Sequence, residues 1–254
     1  MDGLLLLSGN DIPFVEAQLN VRQPKIKELG LLGEENFFIA LDLLNFSKEK
    51  LQEQDRKGLD ALSDFDILMS MITQQNVPAI QMQKENIQKL LYLVFPNSSA
   101  INFLPRAIMV AEIAGQKEDG SPDIQMHMID ASNYDKFKEI LNEVFCLKLL
   151  RGKDELNYNP KSAQAKKIAD KLMKGRQRAA AAKGEQGNKI EVLKRYVSIV
   201  SIGKNMNIND VLDYTMYQLF EEFNRFEKKE VYDTHLKAQL AGATGLKEVE
   251  HWMQ

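Results

Sequence analysis

The residues of this chain best suited to acid–base, metal or nucleophilic chemistry are few and scattered. Three histidines, His127, His235 and His251, stand far apart, without the short spacing of a metal-ligand pair. His127 alternates within a predicted strand and reads as a structural or surface residue. Cys146 lies in the apolar run "EVFCLKLL" with no histidine near it in sequence, which reads as a buried, inert thiol. Glu34-Glu35 and the Asp64/Asp66 pair are acidic, but such pairs are common at helix starts, where the helix dipole favours them. "GKNMN" has the Gly-Lys of a phosphate loop without its upstream glycine or following Ser/Thr. No Gly-x-Gly-x-x-Gly fingerprint and no Gly-x-Ser-x-Gly elbow occurs. The expectation is a protein that is not an enzyme, with no catalytic, cofactor-binding or metal-binding residue.

The elements that carry these residues belong to a chain of ordinary globular composition, 44% hydrophobic and 27% charged over 254 residues. No apolar run approaches the roughly 20 residues of a membrane span. "MDGLLLLSGND" is acidic and too short in its apolar part for a signal peptide. A single cysteine excludes an internal disulfide framework and fits a reducing cytoplasm.

Charge divides the chain into parts. Residues 1–150 hold 14 basic and 22 acidic side chains, a net of −8. Residues 161–195 hold 11 basic and 3 acidic, a net of +8, and residues 196–254 return to −3. The fold class expected is α+β and predominantly helical. An N-terminal α+β domain with short antiparallel strands covers 1–150. A basic helix with a glycine-containing hinge covers 151–188, and a C-terminal helical region with a Trp-bearing tail covers 189–254.

Within the first part, "LLLLSG" and "FVEAQLNV" read as two strands around the turn "GNDIP". Pro24 reads as the opening of a short helix. Helices are expected over "EENFFIALDLLNF", "DFDILMSMITQ" (capped by Ser63 or Asp64), roughly Lys84 to Leu93, and "NYDKFKEILNEVFCL". "AINFL", "RAIMVAEI" and "IQMHMID" read as strands, the last two joined as a hairpin.

In the second part Ala165, Ile168, Ala169, Leu172 and Met173 form a narrow apolar stripe among Lys166, Lys167, Lys171, Lys174, Arg176 and Arg178. These basic residues are expected to form a docking surface, the alternative being a solvated helix face. Nucleic-acid binding is disfavoured, since only Tyr196 offers a nearby stacking ring and the rest of the chain is acidic. Packing on an acidic surface, its own or a partner's, is expected instead.

In the third part Gly203 is expected to end the helix at 190–203, and Asn207 or Asn209 to cap the next. That helix carries Leu212, Met216, Leu219, Phe223 and Phe226 in a regular stripe, expected to pack on 190–200. After "EKKE" the apolar register resumes out of phase at Tyr232, Leu236 and Leu240. Either a kink or one long helix whose halves face different partners follows. Gly242 and Gly245 let the chain leave the helix. The single tryptophan, Trp252, then docks on the protein itself or on a partner. Tyr232, Leu236, Leu240 and Trp252 are the expected partner-binding residues.

Three stretches add a resemblance. "DIPFVEAQLNVRQPKIKELGLLGEENFFIALDLLNFSK" (11–48), "YNPKSAQAKKIADKLMKGRQRAAAAKG" (158–184) and the segment 195–253, with its "YTMYQLFEEFNRF" and "LAGA…WM", resemble tail assembly chaperones of long-tailed bacteriophages, encoded near the tape-measure gene. The resemblance implies a cofactor-free chaperone in the host bacterial cytoplasm. It would bind the tape-measure protein while tail-tube subunits polymerise, and could self-associate. The first part is larger than a minimal helical chaperone needs, so a structural component of the tail or baseplate, retained in the virion, stands as the alternative. A nucleic-acid-binding adaptor ranks below both.

Overall fold

In a computed structural model, which describes residues 1–50, 58–59, 61–73, 78–147, 192–244, 249 and 251–253, the first segment departs from the expected strand. Helix α1 spans Gly3–Ser8: Asp2 caps it by accepting the Leu4 N–H, and Gly9 closes it in the left-handed region at φ 72°. Four consecutive leucines carry no strand alternation, so the caps decide. Leu6 enters the core. The Gln218 side chain, distant in sequence, donates to the Leu7 carbonyl at 2.8 Å.

The first hairpin takes in the end of the expected turn "GNDIP" and folds the second expected strand, "FVEAQLNV", back on itself. β1 (Ile12–Phe14) pairs with β2 (Leu19–Val21), Ile12 opposite Val21, across a 3-10 turn at Val15–Ala17. Helix α2 runs Ile26–Leu32, two residues later than Pro24. Lys25 is held extended by a backbone bridge to Thr215, and the Ile26 N–H donates to the Tyr214 carbonyl at 2.9 Å. Glu28 reaches back to the Lys25 N–H at 2.8 Å and grips Arg22 at 2.7 Å. Burial pushes the Glu28 carboxyl up, but the Lys25 amide and Arg22 guanidinium hold it below the usual carboxylate range.

Helix α3 (Glu34–Leu44) buries Phe37, Ala40, Leu41 and Leu44, and α4 (Asp64–Thr73) starts at the reciprocal Ser63–Asp66 cap. α5 begins earlier than expected, at Pro78, and runs to Val94, burying Ile87, Leu90, Leu91 and Val94. α3 and α5 pack side by side.

The three strands β3 (Ser98–Leu104), β4 (Ala107–Gln116) and β5 (Pro122–Ile129) form an antiparallel sheet in that order. Val110 sits opposite Ile101 and His127, while Met109 sits opposite Asn102 and Met128. Ile101, Ile108, Val110 and Ile129 therefore share the inner face and are buried. α6 (Tyr134–Val144) buries Phe137, Ile140, Leu141 and Val144 as expected. Phe14 and Phe95 stack on Phe137 at 5.7 and 5.9 Å, tying the hairpin, α5 and α6 together.

The C-terminal helices are α7 (Val192–Lys204), α8 (Ile208–Leu212) and α9 (Met216–Leu240). Leu193, Val197, Val200, Val211, Met216, Leu219 and Phe220 join the same core cluster as the N-terminal helices and sheet. The fold is α+β and mostly helical. The basic surface Lys166, Lys167, Lys171, Lys174, Arg176 and Arg178, with Ile190 and Gly245, lies outside the described residues.

Candidate partner-binding surface

α9 holds the residues expected to meet a partner. The continuous helix expected from Asn207 is instead broken between α8 and α9. Asp213 is held by Lys25 at 3.2 Å and Lys27 at 2.6 Å. Thr215 restarts the helix with a capping box, accepting the Gln218 N–H at 3.3 Å and donating its own N–H to Gln218 Oε1 at 2.9 Å. The break serves the bridge to α2, a tertiary demand that overrides the helical pattern. Lys27 first, then Lys25, draws the Asp213 carboxyl below its ordinary range.

The proximal half of α9 packs on α7. Tyr196 meets Phe220 at 4.8 Å and Phe223 at 4.4 Å, both edge-on. Gly203 does not end α7, which continues to Lys204, with Asn205 left-handed at φ 54° beyond it. Its lack of a side chain admits Phe226: a Cβ there would stand 2.5 Å from the ring.

α9 then runs through "EKKE" for 25 residues in all, so of the two expected alternatives the single long helix forms and the kink does not. Six residues advance an α-helix by about 240°, so Tyr232 points well away from the seam that ends at Phe226. Leu236 and Leu240 follow Tyr232 at intervals of four. Leu219 and Phe220 are buried, whereas Leu236 is 41% and Leu240 80% exposed. Val231 is exposed too.

The helix closes on Gly242, left-handed at φ 86°. The Gly242 N–H donates to Gln239 O at 2.9 Å and the Ala243 N–H to Ala238 O at 3.0 Å, a Schellman close. The tail folds back along α9. His251 lies on the Tyr232 ring at 4.7 Å, and Trp252 and Met253 line a cavity of about 620 Å³ with Glu221, Asn224, Arg225 and Lys228. Trp252 is half-buried there. Of the four expected partner-binding residues, Leu236 and Leu240 are open, while Tyr232 and Trp252 carry the tail. No pattern along the chain signals the His251–Tyr232 contact.

The candidate chemical residues have structural surroundings. Glu34 Oε1 accepts the Leu193 N–H at 2.8 Å at the start of α7. Asp64 accepts the Lys48 N–H at 3.0 Å and pairs with Lys138 at 3.2 Å. His127 is buried; its Nδ1–H donates to the Ala17 carbonyl at 3.1 Å and its Nε2 stands 3.9 Å from Glu112. Burial, chiefly, pushes the Cys146 thiol up to about 12, far from the reactive thiolate. Among the described residues, no three His, Cys, Asp or Glu side chains converge on a metal position. No helix among them is long and apolar enough to cross a membrane.

Residues 184–254 match the family model described as YomV second domain, a phage-associated family. The match takes in α7, α8, α9 and the Trp252 tail. No curated protein and no solved structure matches the chain. The similarity points to a phage protein and falls on the third of the three stretches that resemble tail proteins.

Proposed function

We propose that this protein is a non-enzymatic phage tail assembly chaperone that binds the tape-measure protein through the distal half of α9. The observation that carries the reading is the change of face along one continuous helix. The stripe from Met216 to Phe226 is spent on the core, while Leu236 and Leu240 stand in solvent on another side. An amphipathic helix of a client can lay its apolar face along such a row. The phage-associated family match over this region, and the three tail-like stretches, support it.

On this reading the folded-back tail guards the same row. His251 covers Tyr232, and a client helix reaching Tyr232 displaces it. Tail-tube subunits then take the client over as they polymerise, and the chaperone leaves. The site of action is the host cytoplasm.

Co-expression with the tape-measure protein tests the proposal. The client should be soluble and co-purify with the wild-type chain, and should precipitate without it. Equal solubility with and without this chain sinks the reading. Stoichiometric presence in purified virions, read by mass spectrometry, would replace it with a structural tail role.

A further inference from the structure

An apolar groove of about 360 Å³ opens where α2, α7 and α8 meet, away from α9. Leu29, Leu193 and Val197 are its buried floor, and Ile208 at its rim is 48% exposed. Gly30 leaves one wall open: a Cβ there would meet no heavy atom within 4 Å. The polar groups at the edge are already committed. Glu34 Oε1 accepts the Leu193 N–H at 2.8 Å, and Lys27 pairs with Asp213 at 2.6 Å.

A groove of this size gives a separate molecule too little area, since stable interfaces bury roughly 1,200 Å² or more. That argument removes a second copy and a free partner helix alike. A segment of the same chain meets no such threshold, because its tether supplies a high effective concentration.

The chain has such a segment. Residues 148–191, outside the described residues, rejoin the fold at Val192, beside Leu193 in the groove. Within them Ala165, Ile168, Ala169, Leu172 and Met173 carry a narrow stripe at helical spacing. A basic helix with so little to bury is marginal alone and needs a surface. From Met173 to Val192 is 19 residues, a flexible span of about 24 Å, and Gly184 and Gly187 within it permit a reversal of direction. The net of +8 on 161–195 is also drawn to the −8 of residues 1–150, which include α2.

We propose that the groove between α2, α7 and α8 is the docking site of the chain's own basic segment, with Ile168 and Leu172 filling it and the lysines left in water. The assignment is independent of the client reading for α9.

Trypsin acting on the wild-type chain tests this without a variant. Cleavage follows the population of locally opened backbone, so the cuts after Lys171 and Lys174 should come about tenfold or more slower than the cut after Lys183, timed by mass spectrometry. Gly30→Phe fills the groove from its open wall and should raise both cuts to the Lys183 rate. Contact itself is read by p-benzoylphenylalanine in place of Ile208. Irradiation should join it to residues 165–173 of the same chain, at monomer mass. Leu172→Asp should cut that yield about tenfold, because a carboxylate would have to enter the apolar groove. The proposal is overturned by equal cutting at the three sites in wild type, by protection that Gly30→Phe leaves intact, or by cross-links confined to other residues. A cross-link at dimer mass would overturn it in favour of a second copy.

Discussion

Phe226 lies against Gly203 so closely that no side chain fits between the two helices: a Cβ at Gly203 would stand 2.5 Å from the ring. This contact marks the end of the α7–α9 seam. Beyond it the apolar stripe of α9 moves to another face, and Leu236 and Leu240 are exposed.

Gly203→Ala should therefore lower the melting temperature. Alanine gains helix propensity of about 1 kcal/mol over glycine, but overpacking costs about 1–3 kcal/mol, and the clash is with a ring already seated against the helix. Adding Phe226→Ala should recover part of the loss. Calorimetry on the two single variants and the double variant gives the coupling. A stabilised Gly203→Ala would mean that Phe226 swings aside freely.

Phe223→Ala and Leu236→Ala should respond oppositely. Phe223 sits edge-on to Tyr196 at 4.4 Å and is half-buried, so its truncation should cost about 3 kcal/mol, the low end for aromatic core residues. Leu236 is exposed, so its truncation should leave melting within about 0.5 kcal/mol of wild type and lower client capture. Thermal melts and pull-downs of both variants check this.

Acid should remove one contribution from the N-terminal half. Burial raises the Asp64 carboxyl pKa, but the Lys48 amide and Lys138 ammonium outweigh it, so its folded value lies below 3.8. A depressed carboxylate stabilises the fold above its unfolded pKa and loses that effect as pH falls through the folded one. Asp64→Asn should cost about 1–2 kcal/mol at neutral pH, and the gap to wild type should close below about pH 4. Denaturant melts at a series of pH values read it. A gap that persists in acid would assign the loss to packing.

The single tryptophan reports on the tail. Tyr232→Ala removes the ring on which His251 rests, so the tail should loosen. Trp252 emission should then shift red and become more open to acrylamide quenching, with melting nearly unchanged. An unaltered spectrum would show that Arg225, Asn224 and Lys228 hold the tail without Tyr232.

Much of the fold was legible in the sequence, and the exceptions share a cause. α3 and α6 followed from apolar periodicity, because each buries one stripe. The three strands followed from alternation and turn residues. Leu4 to Leu7 misled because the Asp2 and Gly9 caps, not the leucines, set that helix. The break at Asp213–Thr215 and the late start of α2 are one event, the Lys25–Thr215 bridge, and no local pattern encodes it. Gly203 looked like a helix end but proved to be a contact point. The exposed face of β5 did leave a sign: Ile124, Met126 and Met128 alternate with Gln125, His127 and Ile129, which share the other face with Glu112.

We propose that the distal half of α9 holds the client. The most direct measurement is pull-down of co-expressed tape-measure protein by a Leu236→Lys, Leu240→Lys double variant, alongside its melting temperature. The double variant should melt as wild type does and capture about tenfold less client, or less still, since two charges replace the apolar row. Undiminished capture by a folded double variant would contradict it.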